Sequence, residues 1–151
     1  MKPTPADWPR ISTCIYYQDP ARAIDWLCAA FGFELRLKVE GEGGEIVHSE
    51  LEYGEGLIMV GGEGAWKNKP ERSFARNPRS LDGANTQTLM VYVDDVAAHF
   101  AQAQAAGARI LTELMESDYG EEYWADRGYS CEDLEGHTWY FAQRLRTKGQ
   151  A

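Results

Sequence analysis

The chain has 151 residues, of which 44% are hydrophobic and 26% are charged, so we expect one domain with a substantial core. Its formal net charge of -9 at pH 7 repels a phosphate backbone, which disfavours binding to nucleic acid over a broad surface. No stretch approaches 18 apolar residues and no apolar leader opens the chain, so we expect a cytoplasmic protein without membrane attachment. Three widely spaced cysteines without a CxxC pair argue against a disulfide framework or a thiolate zinc site.

The first half of the chain begins with a strand-like run followed by a helix-like run. Residues 14–17 are aromatic, β-branched or small, which favours a β-strand. Asp19 can accept a hydrogen bond from the free amides of a first helical turn, and Pro20 suits the first helical position. Apolar residues then recur every three or four positions until Gly32, which predicts an amphipathic helix closed by a left-handed glycine. Three further strand-like runs cover residues 33–39, 45–53 and 56–60.

The same order of elements returns in the second half of the chain. Asp95 lies 76 residues after Asp19, and Gly107 lies 75 residues after Gly32, around an alanine-rich helix-like run. Because the two aspartates and the two glycines are separated by nearly the same number of residues, the sequence predicts a duplicated strand–helix–three-strand unit. The strand-like runs of this second copy cover residues 89–93, 108–111, 128–131 and 138–143. We therefore divide a single domain, residues 1–151, into a first module (11–62), a linker (63–85), a second module (86–143) and a tail (144–151).

Three segments of the chain match sequence patterns of a known superfamily. They are HSELEYGEGLIMVGG at 48–62, VYVDDVAAHFAQAQAAGA at 91–108, and DLEGHTWYFAQ at 133–143. The last segment follows a D-x-x-G-H-x-W pattern through Asp133, Gly136, His137 and Trp139. On these motifs the chain resembles the bacterial glyoxalase/bleomycin resistance branch of the vicinal oxygen chelate superfamily, which also includes extradiol dioxygenases. The resemblance implies an α+β fold in which two tandem βαβββ modules form a curved mixed sheet around a cavity.

In the metalloenzymes of that superfamily, each module supplies ligands for one divalent ion from its first and last strands. By this resemblance the ligand positions fall at Ser12 and Met59 in the first module, and at Thr88 and Tyr140 in the second. None of these residues is a usual carboxylate or imidazole ligand for zinc, iron or manganese. We therefore expect neither a metal site nor a cofactor, and it stays open whether the protein is an enzyme.

The sequence holds three histidines, and their settings differ. His48 alternates with Glu50 and Glu52 along a predicted strand, so the three side chains should share one face. Two roles are open for that face. It serves acid/base chemistry or metal binding, or it faces solvent and a carboxylate there holds the imidazole in place. His99 lies within the second predicted helix, where we expect a side chain at the surface or in an interface. His137 follows a glycine in a turn, where we expect it to bond its neighbours.

Aromatic and charged residues cluster in segment 115–131. Aromatic rings flanked by a few charges suit a flat ligand, but the same rings can cover the core or a dimer seam. The linker is the one basic segment of the chain, and it could close over an anionic ligand or serve as a solvated connector. Its basic residues are Lys67, Lys69, Arg72, Arg76 and Arg79.

From these patterns we predict a protein that binds a small, partly aromatic or hydrophobic molecule without a metal. The predicted ligand-binding residues are Tyr16, His48, Glu50, Tyr119, Trp124, Tyr129 and Trp139. One alternative is a metal-dependent lyase or dioxygenase that uses relocated ligands such as His48, Glu50 and Glu122. A second alternative is an interaction module without small-molecule activity. We also expect a homodimer, because the half-open sheet of each module needs cover from the other module or from a partner chain.

Overall fold

The computed structural model describes residues 1–64 and 70–149; the basic residues Lys67 and Lys69 of the predicted linker lie outside the described residues. The first module contains β1 (Thr13–Tyr17), α1 (Pro20–Phe31), β2 (Glu34–Glu40), β3 (Ile46–Tyr53) and β4 (Gly56–Gly62). Two short 3-10 helices follow in the connecting segment, over Pro70–Phe74 and Pro78–Leu81. The second module contains β5 (Thr88–Tyr92), α2 (Val96–Ala105), β6 (Arg109–Asp118), β7 (Ala125–Glu132) and β8 (Thr138–Arg146).

Each module forms its own four-stranded mixed sheet, and the two sheets have the same strand order. The orders are β1-β4-β3-β2 and β5-β8-β7-β6, and the first strand of each module pairs in parallel with the last. This confirms the tandem βαβββ arrangement and the α+β class. The second sheet is larger than predicted, because β6 and β7 pair as far as Asp118 and Ala125 and so convert most of segment 115–131 into a hairpin. β8 also continues to Arg146, inside the predicted tail.

Both helices begin and end where the local sequence predicts. The Asp19 carboxylate accepts a hydrogen bond from an amide in the first turn of α1 at 3.0 Å. The Asp95 carboxylate accepts two such bonds at the start of α2, at 3.0 and 3.1 Å. Gly32 has a φ of +77°, which residues with a side chain rarely adopt, and it ends α1 as a left-handed cap. Within the described residues, neither helix is long and apolar enough to cross a membrane.

The two modules share one hydrophobic core, which lies between the helix-bearing faces of their sheets. The ring of Phe31, at the end of α1, lies 5.3 Å from the ring of Trp139 and 4.7 Å from that of Phe141 (centroid distances). Buried residues of both sheets and both helices belong to this one cluster. Each sheet therefore turns one face toward the shared core and the other face away from it. We call the second of these the outer face.

The prediction that His99 lies at the surface or in an interface is wrong. Its side chain is 8% exposed, because His99 belongs to the stripe of α2 residues that faces the core together with Val96 and Ala103. Its Nε2 lies 3.1 Å from the Phe31 carbonyl oxygen and its Nδ1 lies 2.7 Å from the Tyr129 hydroxyl. A carbonyl can only accept, so Nε2 carries the proton and Nδ1 accepts from the phenol. Both ring nitrogens are thereby satisfied inside the core.

A buried carboxylate in the turn before β8 ties the connecting segment to the first module. Glu135 accepts hydrogen bonds from the N–H groups of Gln18 and Asp19 at 2.7 and 3.0 Å. It also accepts from the side-chain amide of Asn77, a buried residue of the segment predicted as a linker, at 2.6 Å. The turn before β8 therefore joins three parts of the chain that are distant in sequence.

The same turn contains the D-x-x-G-H-x-W pattern, whose polar residues form hydrogen bonds that stabilise the fold. Asp133 accepts hydrogen bonds from the Tyr17 hydroxyl at 2.6 Å and from the Trp139 indole N–H at 3.1 Å. The Nε2 of His137 lies 2.8 Å from the Tyr16 carbonyl oxygen. The His137 N–H donates to the Asp133 carboxylate in the same turn at 3.0 Å, which confirms the prediction that His137 bonds its neighbours, whereas its ring bonds a distant residue of β1.

Candidate functional site

The outer face of the second sheet exposes several large apolar side chains together. Along β8, Trp139 and Phe141 point into the shared core, so Tyr140 between them points outward. Tyr140 pairs with Met90 on β5, and the alternation along β5 turns Tyr92 to the same side. Contiguous exposed apolar groups of this size commonly mark a binding surface.

An ion pair holds two rings of this face in place. The Arg144 Nε lies 2.5 Å from Oδ1 of Asp126, a carboxylate that is only 3% exposed. The Tyr92 hydroxyl donates to Oδ2 of Asp126 at 3.1 Å and accepts a hydrogen bond from the Arg144 guanidinium. The guanidinium carbon lies 5.0 Å from the ring centroid of Tyr92 and 5.4 Å from that of Trp124, both within cation–π range. One cation therefore anchors both rings.

The turn between β6 and β7 adds further rings beside this ion pair. The rings of Tyr119 and Tyr123 lie 5.6 and 6.2 Å from that of Trp124 (centroid distances). The Tyr119 N–H bonds to the Trp124 carbonyl and the Tyr123 N–H bonds to the Gly120 carbonyl, each at 3.0 Å, so the turn is closed by its own backbone. We use the term aromatic face for this surface, which comprises Met90, Tyr92, Tyr119, Tyr123, Trp124 and Tyr140.

Two phenols of the aromatic face, those of Tyr92 and Tyr140, are neutral hydrogen-bonding groups at pH 7. Burial raises the pKa of Tyr140, and the nearby Tyr119 and Asp126 raise it further. Burial also raises the pKa of Tyr92, together with the hydrogen bond to Asp126. Gly128 on β7 makes room for the Tyr140 phenol, since a Cβ at that position would lie 2.6 Å from the phenol oxygen.

The outer face of the first sheet carries a separate ion network. The His48 Nε2 lies 2.8 Å from Oε1 of Glu50, and the Arg36 Nε lies 3.3 Å from Oε2 of the same buried carboxylate. Arg36 also lies 5.7 Å from the ring centroid of Trp8. The ring of Tyr16, on β1, meets the ring of Phe74 edge-on. Here a carboxylate holds the imidazole, which is one of the two roles that the sequence leaves open for His48.

The ligands proposed for a relocated metal site do not meet in one group. Glu122 lies in the exposed turn between β6 and β7, whereas His48 and Glu50 lie on the first sheet. Within residues 1–64 and 70–149, no three His, Cys, Asp or Glu side chains gather closely enough to share an ion. The metal-dependent alternative therefore gains no support from the geometry of these residues.

The positions that the resemblance assigns to metal ligands carry neutral groups and do not fit a divalent ion. Ser12 and Met59 lie in the first module, and Thr88 and Tyr140 lie in the second. The Thr88 hydroxyl is already engaged with that of Thr138 at 2.9 Å. Hydroxyls, a phenol and a thioether cannot replace the charged or imidazole donors that such an ion requires.

The seven predicted ligand-binding residues are divided among three places. Tyr119 and Trp124 lie on the aromatic face; Tyr16, His48 and Glu50 lie on the first sheet; Tyr129 and Trp139 are buried in the shared core. The last two are turned away from the aromatic face because side chains alternate along β7 and β8. A single chain therefore does not bring the seven residues into one site.

Three residues that organise the aromatic face are absent from the predicted set: Tyr92, Asp126 and Arg144. Tyr92 could have been found from its alternation with Met90 along the strand-like run 89–93. Arg144 could not have been found in this way, because it lies beyond the predicted end of the last strand. Its ion pair with Asp126 also depends on the pairing of β7 with β8.

The chain is similar to known proteins in both sequence and fold. The family model described as Glyoxalase/Bleomycin resistance protein/Dioxygenase superfamily matches residues 10–141. The uncharacterized protein Mb0911c of Mycobacterium bovis is 29% identical over 140 residues, which cover 91% of this chain and 85% of that protein.

Two solved structures extend the comparison to the fold. TioX from Micromonospora sp. ML1 is 33% identical, with a TM-score of 0.67 over 89% of this chain and 95% of that one. TnmS3, an antibiotic binding protein from Streptomyces sp. CB03234, shares the fold at 15% identity, with a TM-score of 0.58 over 88% of this chain and 93% of that one. With its two βαβββ modules and a family match over most of its length, the chain belongs to the glyoxalase/bleomycin resistance protein/dioxygenase superfamily.

Proposed function

We propose that the protein binds a small, partly aromatic or hydrophobic molecule on the aromatic face, without a metal ion. The observation that carries this proposal is the set of exposed rings held in position by the Arg144–Asp126 ion pair. Rings that are already fixed lose little conformational entropy when a flat ligand stacks on them. The antibiotic-binding role of TnmS3, which shares the fold, supports an organic ligand of this kind.

Binding is favoured over catalysis by the state of the ionisable groups on this face. A general acid or base needs a proton that it can exchange near neutral pH. Asp126 is buried and accepts hydrogen bonds from both Arg144 and Tyr92, so it is committed to holding the surface together. The phenols of Tyr92 and Tyr140 have raised pKa values; Tyr92 already donates to Asp126, so Tyr140 is the neutral donor for a bound ligand.

We further propose that the complete site forms in a homodimer. The outer faces of the two sheets point away from the shared core, so the chain cannot close one with the other. A second copy can place its first sheet, with Tyr16, His48 and Glu50, opposite the aromatic face. Two-fold symmetry then produces two identical sites, each built from both chains.

The binding proposal is tested with Trp124→Ala and a panel of neutral planar aromatic compounds, followed by calorimetry. We expect members of the panel to bind the wild-type protein and to bind Trp124→Ala about five- to a hundred-fold more weakly, the scale of a lost aromatic contact of about 1–3 kcal/mol. Leu81→Ala is the control, because Leu81 is 42% exposed, like Trp124 at 40%, but lies in the connecting segment.

Three results would count against this proposal. The first is equal loss of affinity in Trp124→Ala and Leu81→Ala, which would mean that exposed apolar area in general, and not the aromatic face, attracts the compounds. The second is loss of binding when EDTA is added, which would favour the metal-dependent alternative. The third is absence of binding by every compound, which would favour an interaction module.

The shared site is tested by mixing two variants that are each defective, Trp124→Ala and Tyr16→Ala. If the site spans two chains, exchange of subunits creates heterodimers with one intact site, and we expect about a quarter of the wild-type sites to reappear. Light scattering at micromolar concentration should show twice the mass of the chain. A monomeric protein would contradict the shared site. So would a mixture that still does not bind the compounds although its subunits exchange.

A further inference from the structure

A cavity lies between the two modules, separate from the outer faces of the sheets, and we call it the intermodule cleft. It runs between the β3–β4 hairpin of the first module and β5 and α2 of the second, with a volume of about 1200 Å³. Small-molecule sites commonly have volumes of about 300–1000 Å³, so the cleft is large enough for a bulky organic molecule. It touches the aromatic face only along the edge strand β5. Its apolar lining includes Phe31, Phe33, Leu57, Ile58, Val91 and Trp139.

The charged residues around this apolar lining are all acidic. Among the described residues that line the cleft there are five carboxylates and neither lysine nor arginine. The five are Glu34, Glu52, Glu55, Asp94 and Asp95. None of them forms an ion pair with a described lysine or arginine, unlike Glu50 on Arg36 and Asp126 on Arg144. Asp95 is engaged by the first amides of α2, whereas the other four carboxylates give the apolar cleft a negatively charged rim without a described lysine or arginine partner.

The carboxylates also repel one another within the fold. Glu34 and Glu52 are direct partners in the register of β2 and β3, where like charges are destabilising. Asp94, from the second module, is close enough to Tyr53 of the first to raise the pKa of its phenol further, after burial. His99 does not offset this charge, because burial lowers its pKa and keeps the imidazole neutral at pH 7.

The cleft also contains an unsatisfied polar atom. The Ser12 hydroxyl oxygen is buried and has no hydrogen-bond partner among the described residues, and Ser12 lines the cleft. Buried hydroxyls in folded proteins are normally paired, so an unpaired one in a residue that lines the cleft is unusual. It is an observation independent of the acidic rim, and it points to the same cavity.

We propose that the intermodule cleft is a second binding site, which takes an organic cation with a bulky apolar or aromatic body. The body would cover the apolar lining, and the cation would neutralise the opposed pair Glu34 and Glu52. Desolvated cations also gain attraction from nearby aromatic rings, of which the cleft has several. This site does not depend on the function proposed for the aromatic face.

The test compares tetraphenylphosphonium with tetraphenylborate, two ions of similar size and apolar surface but opposite charge, by calorimetry. We expect the cation to bind at least ten-fold more tightly than the anion, because charge decides between otherwise similar bodies. Raising the salt concentration should weaken binding of the cation, since the rim carboxylates are exposed to screening. Equal affinities for the two ions would overturn the proposal.

Matched variants locate the site. Glu34→Gln/Glu52→Gln should weaken binding of tetraphenylphosphonium about five- to ten-fold while the melting temperature stays equal or rises, since a repulsion is removed. Glu42→Gln/Glu113→Gln changes the net charge equally at exposed positions outside the cleft and should leave affinity unchanged. Equal loss in both double variants would mean that net charge alone attracts the cation.

The aromatic face provides the last control. Trp124→Ala should bind tetraphenylphosphonium as the wild-type protein does, even if it no longer binds planar neutral compounds. Loss of the cation in Trp124→Ala, with no loss in Glu34→Gln/Glu52→Gln, would assign the cation to the aromatic face and reject the cleft. Glu55→Gln, in the exposed β3–β4 turn, provides a single variant with a smaller expected loss should the double variant not fold.

Discussion

Trp139 and Tyr140 are neighbours in sequence but serve different purposes. Trp139 is fully buried, its indole N–H bonds to Asp133 at 3.1 Å, and its ring stacks against that of Phe141 at 6.0 Å. Tyr140 points to the opposite side and belongs to the aromatic face. Trp139 therefore lies outside the aromatic face, and its burial predicts a role in stability.

We expect Trp139→Ala to lower the free energy of unfolding by about 3–5 kcal/mol, because it leaves a large cavity in the shared core. It also leaves a buried carboxylate oxygen with one donor fewer. Denaturant unfolding measures the change. Tyr140→Phe is the control, with an expected loss of less than about 1 kcal/mol because it removes only a partly exposed hydroxyl. Similar losses in both variants would contradict the assignment of Trp139 to the core.

Among the elements of the fold, the turn before β8 is the one whose disruption should destabilise the largest part of the chain. Glu135 receives hydrogen bonds from the junction of β1 with α1 and from Asn77 in the connecting segment. Hydrogen bonds to a charged group contribute about 1.5–3 kcal/mol each, and removing the carboxylate leaves buried donors unpaired. The turn therefore holds the connecting segment against both modules.

This role predicts a measurable coupling between Glu135 and Asn77. In a double-mutant cycle with Glu135→Ala and Asn77→Ala, we expect the double variant to lose less stability than the sum of the single variants, with a coupling of about 0.5–3 kcal/mol. Glu135→Ala combined with Lys38→Ala, whose exposed ion pair with Glu40 lies on β2, should be additive. Additivity in the first pair would show that the hydrogen bond between Asn77 and Glu135 contributes nothing.

Local sequence was sufficient for some elements and insufficient for others. The caps Asp19, Asp95 and Gly32 act within one helical turn, so their residue types alone predict where the helices begin and end. The β6–β7 hairpin depends instead on pairing with β8, which supplies partners for backbone groups that the polar segment 115–131 could equally have left to solvent. The aromatic face rests on that hairpin, so the sequence located its rings but not their arrangement.

At the scale of the whole molecule, His99 links the modules and makes their association sensitive to pH. Its imidazole bonds Phe31 of the first module and Tyr129 of the second. Burial lowers its pKa from the ordinary value of 6.5, against a smaller opposite effect of the Phe31 carbonyl. Below that value the unfolded chain binds the proton more readily than the folded one does, so stability falls as the pH drops through 6.5.

We expect the stability difference between the wild-type protein and His99→Gln to shrink as the pH is lowered from 7.5 to 5.5. The slope for one proton is at most about 1.4 kcal/mol per pH unit. Denaturant unfolding at several pH values measures it, and the carboxylates common to both proteins cancel in the difference. A difference that stays constant or grows toward low pH would show that the folded state does not exclude the proton from His99.

The sequence by itself determined the duplicated βαβββ plan, the helix ends and the membership of the superfamily, because all of these depend on local propensity and on a repeat visible along the chain. Only the tertiary structure decided which residues share a site. The shared core takes up Tyr129, Trp139 and His99, since each sheet must bury one face and the alternation of side chains selects the residues on it. The same packing turns the aromatic face outward, so the binding surface is the part of the sheets that the core leaves exposed.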